Sequence, residues 1–138
     1  MNKKIIYPLL GVLMSVSQSA SAEVDYRVYS EEYDNCIKTA SQSGNYETCY
    51  QNEYYNLKRQ IQDIKQKLLQ VSIFKEYNLS DKSIITNVQN MENYTELYCE
   101  YMQYASARQQ SMFECRMKQL NFMYVDLYKL YEAAMSKK

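Results

Sequence analysis

Tyr50, Tyr54, Leu57, Ile61, Ile64, Leu68 and Val71 recur along YQNEYYNLKRQIQDIKQKLLQV in steps of four and three, with no Gly or Pro between them. That spacing lays one apolar seam along a helix, and its 3.5-residue average is the period of a helix packed lengthwise against others. Such a seam needs partners. Two further stretches repeat the period: Ile84, Val88, Met91, Thr95, Tyr98, Met102 and Ala105, then Phe113, Met117, Leu120, Tyr124, Leu127, Tyr131 and Ala134. The chain holds two Gly and one Pro, so turn punctuation for strands is nearly absent. The expected fold is all-α, a small elongated four-helix bundle of helical hairpins stapled by two disulfides.

The boundaries follow from local chemistry. Residues 1–22 read as a secretory signal peptide: Lys3 and Lys4, an apolar run from Ile5 to Val16, and Ala20-Ser21-Ala22 before Glu23. The run is too short for a transmembrane helix, which needs about 20 apolar residues. No Cys follows the cleavage site to take a lipid. Residues 23–138 then form a single domain, periplasmic or secreted.

Ser30 before Glu31 and Glu32 predicts an N-cap and a short helix to about Ala40, ended near Gly44. The long helix starts near Tyr46. Unbroken to Tyr77 it would measure roughly 45 Å, long for a domain with a radius of gyration of about 13 Å, so either the bundle is elongated or the helix bends, with the place for a bend at Val71-Ser72-Ile73, two of them β-branched. Ser80 or Asp81 caps the third helix, and Ser106, or Ser111 as a new N-cap, serves the turn into the fourth. Asn78-Leu79-Ser80 and Asn93-Tyr94-Thr95 match the glycosylation sequon, but the leader looks bacterial and Asn93 falls mid-helix; chance accounts for them.

Cys36, Cys49, Cys99 and Cys115 all follow the leader, and an even number in a small exported domain reads as disulfides. A metal site is disfavoured, because the chain has no His and no Cys-x-x-Cys spacing. Three pairings are open on sequence alone. If the third and fourth patterns made one helix, Cys99 and Cys115 would lie about 24 Å apart, beyond the reach of a bridge. Either the chain folds back between Tyr104 and Ser111 or these cysteines pair elsewhere.

Function is less constrained. Without His there is no ordinary Ser-His or Cys-His nucleophile, and nothing marks two of the 16 acids as a catalytic pair, so neither catalysis nor a cofactor is expected. Loss of Lys3 and Lys4 from 16 basic residues leaves 14, a mildly acidic balance that argues against nucleic acid. Glu92, Glu96 and Glu100 are expected on the outer face of the third helix, either as a solvated stripe or as a docking strip for a basic protein. Sixteen Tyr and no Trp give two further readings, rings at the core edge or an interface that includes Tyr101 and Tyr104. The regular seams also allow a homodimer.

The cysteine frame resembles the LprI-like family, small exported helical proteins of bacteria named for a lysozyme inhibitor. The resemblance runs through Cys36, Cys49 at the head of the long helix, Glu96-Leu97-Tyr98-Cys99, and Cys115-Arg116-Met117-Lys118-Gln119-Leu120 heading a last helix that ends in Leu127 to Glu132. It covers most of residues 33–132. Lys58, Ile61 and Gln62 stand where members usually carry an Asp and a Leu-Asn pair, and Met91 and Thr95 where they carry Trp and Arg. The resemblance implies bridges Cys36 to Cys49 and Cys99 to Cys115. It also implies a non-catalytic protein binder whose partner is a lysozyme or a peptidoglycan-degrading toxin.

Overall fold

The computed structural model describes residues 29–105 and 111–137. The leader reading for residues 1–22 and the turn at 106–110 lie outside the described residues. Five helices follow in order: α1 (Glu31–Ser43), α2 (Tyr46–Leu69), α3 (Ser72–Glu76), α4 (Asp81–Ala105) and α5 (Met112–Met135). Among the described residues there is no strand, and no helix is long and apolar enough to cross a membrane.

Three of the helices, α1, α4 and α5, start at a serine cap. The Ser30 hydroxyl accepts from the Tyr33 N–H at 3.1 Å, and the Ser80 and Ser111 hydroxyls do the same for Ser83 and Glu114. Gly44, at φ 77°, ends α1 and donates its N–H to the Ala40 carbonyl. A side chain there would meet nothing within 4 Å, so the left-handed backbone alone favours glycine. The expected bend becomes a break: α2 closes with Gln70 and Val71 bonding back three residues, and Val71 then turns extended at ψ 116°. The anticipated fourfold pattern is therefore five helices, the extra one being the single turn of α3.

Contacts set the directions. Tyr54 packs on Phe113 near the starts of α2 and α5, while Ile73 and Phe74 line one cleft with Leu130 and Ala134 near the end of α5. α2 and α5 therefore run parallel, and they share the broadest interface in the molecule. α4 runs the other way, with Tyr54 bonded to Glu96 and Gln62 to Glu92. α1 does likewise against α2 through Ser30 with Glu53 and Cys36 with Cys49.

The core is the α2 seam and its counterpart. Tyr54, Leu57, Ile61, Ile64 and Leu68 meet Met117, Leu120, Met123 and Leu127, with Val88 closing from α4. Two bridges staple the hairpins, Cys36 to Cys49 and Cys99 to Cys115, each with Cα atoms 5.7 Å apart. The chain folds back between α4 and α5, and the pairing agrees with the resemblance. Tyr54 and Phe113 put both bridges at the same end.

Candidate functional site

The expected acidic stripe is not a stripe. Cys99 must face Cys115, and that requirement turns the inner face of α4 toward Val88, Thr95, Cys99 and Met102, leaving Ala105 exposed. Glu92 and Glu96 consequently flank the interface with α2 rather than the far side. The Gln62 amide donates to Glu92 at 3.4 Å, and Lys65 donates to Gln62. Glu96 takes the Tyr54 hydroxyl at 2.9 Å on one oxygen, and the Arg116 Nε stands 2.5 Å from the other. The like-charge repulsion anticipated along this face is offset by these partners. Of the five binding candidates, Glu100, Tyr101 and Tyr104 are exposed, whereas Glu92 and Glu96 are half-buried and bonded across helices.

The Tyr54 and Glu96 pair also sets local titration. Burial foremost, then the hydrogen bond and charge of Glu96, pushes the Tyr54 phenol up to about 12. Tyr33 is likewise pushed up to about 12, first by burial and then by its tyrosine and carboxylate neighbours. Tyr29, Tyr50 and Tyr124 are raised with burial as the leading cause. These phenols stay protonated at neutral pH, and that of Tyr54 donates its hydrogen to Glu96.

Sequence reasoning missed Glu53. It is 2% exposed, and its oxygens take the Ser30 N–H at 2.9 Å and the Ser30 hydroxyl at 2.6 Å, with the Asn56 amide at 3.4 Å. A carboxylate on α2 thus completes the N-cap of α1, a capping box closed across two helices. The signal was an acid beside Tyr54 on the buried face of the seam. On these two helices Glu31, Glu32 and Glu47 reach solvent and Asp34 is half-buried, and Glu32 shares a groove with the bridge Cys36 to Cys49. A polar groove of about 350 Å³ runs past Ser30, Glu32, Asn52 and Arg59.

The second exposed feature is apolar. Tyr94, Leu97, Tyr101 and Tyr104 form an outward ridge on α4, and Phe122 stands beside it on α5, each between 64% and 89% exposed. A hollow of about 530 Å³ lies between Tyr94 and Phe122, floored by Met91, Thr95 and Met123. Asn93, the sequon residue, lies within α4 one position before this ridge begins. Among the described residues no group of three or more His, Cys, Asp or Glu is placed to hold a metal ion. Searches among protein-family models, curated proteins and solved structures find no significant match to this chain.

Proposed function

We propose that this chain is an exported, non-catalytic protein that binds and inhibits a cell-wall-degrading enzyme, either a host lysozyme or a toxin of a rival bacterium. The supporting observation is the α1–α2 corner, where a bridge and the Glu53 cap fix a polar groove lined by Glu32, with Glu31, Asp34 and Glu47 carried on the same two helices. A rigid acidic edge suits a basic enzyme, because charge complementarity speeds encounter and preorganisation spares ordering cost. Glu100 adds a further exposed acid. Two disulfides fit an oxidising compartment, and the leader-like first 22 residues supply the route.

The test is capture and inhibition. The purified chain, immobilised with both bridges intact, should retain a wall hydrolase at micromolar concentration and slow wall degradation, less so at high salt. Changing Glu31 and Glu32 to Lys should slow association about tenfold. Retention of no lysozyme or wall-degrading toxin would overturn the reading.

A second reading is an envelope assembly protein acting through helix contacts between copies. The α4 ridge favours it, since several hundred Å² of contiguous apolar surface is what interaction faces present.

A further inference from the structure

We infer that two copies of this chain pair through the outer face of α4, with the two helices antiparallel about Leu97. This rests on the second reading above and adds the residues that meet. The face has two unlike halves. Its N-terminal half is the hollow over Met91 and Thr95, walled by Tyr94 and Phe122. Its C-terminal half carries the two rings that project furthest, Tyr101 at 67% and Tyr104 at 89% exposure.

A two-fold axis running between the two helices, level with Leu97 and Tyr98, sets Tyr101 of one copy level with Tyr94 of the other. Each copy's Tyr101 then falls at the mouth of the other copy's hollow, beside Tyr94. An isologous contact needs this self-complementarity, and an unrelated partner would have no reason to match both halves. Asn87 and Asn90 border the hollow and offer amides to the inserted phenol hydroxyls, which need partners once buried.

Charge and area agree. Asn87, Asn90, Tyr94, Leu97, Tyr101 and Tyr104 are all uncharged, and the one charged group lining the hollow, Asp126 of α5, is an acceptor for an inserted phenol hydroxyl. Four rings and one leucine, each about two-thirds exposed or more, offer on the order of 700 Å² per copy. A contact covering most of that surface stays below the roughly 800 Å² per partner of a standard stable interface, in the range of a weaker dimer. The 3.5-residue step of the ridge is itself the period of helix against helix.

Solution mass by light scattering and sedimentation, on the purified chain with both disulfides formed, tests this. The unaltered chain should run as a dimer. Tyr101→Lys alone, or Tyr94→Glu alone, should raise the dimer dissociation constant more than about tenfold with helicity and bridges unchanged. The double variant Tyr94→Glu with Tyr101→Lys should restore association, because the register places each new Lys against the partner's new Glu. A monomer at all concentrations would overturn both this inference and the assembly reading. A dimer indifferent to the single substitutions, or not restored by the double one, would overturn the α4 register and leave self-association through another face.

Discussion

Glu53 and Tyr54 are neighbours in sequence that do opposite jobs at the top of the bundle. Glu53 reaches back to Ser30 of the α1 cap, and Tyr54 reaches across to Glu96 of α4. Glu53→Ala strips the Ser30 N–H and hydroxyl of their acceptor in a buried place, and should cost about 2–3 kcal/mol in urea unfolding. Glu53→Gln, which keeps one carbonyl oxygen, should cost visibly less. The Tyr54 phenol ties stability to alkaline pH. Its folded pKa of about 12 exceeds the unfolded value near 10, so the folded chain holds the proton longer. The contribution is whole below pH 10 and is lost as pH climbs from 10 to 12, by up to about 2 kcal/mol for this one ring. Unfolding curves across that range should show the decline, and Tyr54→Phe should flatten it relative to the unaltered chain.

At the level of helices, the seams were legible because a heptad pattern depends only on which side chains avoid water. Every α2 seam residue from Tyr54 to Val71 is buried, and the α5 seam contributes Met117, Leu120 and Leu127 to the same core. The register of the second half of α4 was not legible. The expected seam ran through Tyr98 and Ala105, but a covalent demand at Cys99 overrides a preference worth a fraction of that bond. With the face rotated, Glu92 and Glu96 came to flank the α2 interface, half-buried, and Tyr94, Leu97, Tyr101 and Tyr104 turned out. Pairing of cysteines is invisible to hydrophobic periodicity, which is why the binding candidates divided as they did. The bridge Cys99 to Cys115 spans 16 residues, and replacing both with Ala should lower stability by about 3 kcal/mol. Denaturant midpoints for the bridged and Ala-substituted chains measure that loss, while the helical circular-dichroism signal should persist in water.

Across the whole molecule, parallel α2 and α5 form the axis, and α1 and α4 lie antiparallel on it. Both sulfur bridges sit at the end where Tyr54 meets Phe113, and none of the four cysteines reaches the end where α3 covers Leu130 and Ala134. Local opening follows the weakest constraint, so the two ends should differ in amide hydrogen exchange. Amides in Ser72–Glu76 and the last turns of α5 should exchange fastest, those around Leu57 and Met117 slowest, read residue by residue by NMR. Tyr77 and Leu79, exposed at the unbridged end, make it the expected first point of protease attack. The protein is thus clasped like a pair of tongs: strain or heat would spread the jaws at α3 while the hinge stays shut, and damage would travel toward the clasp instead of away from it.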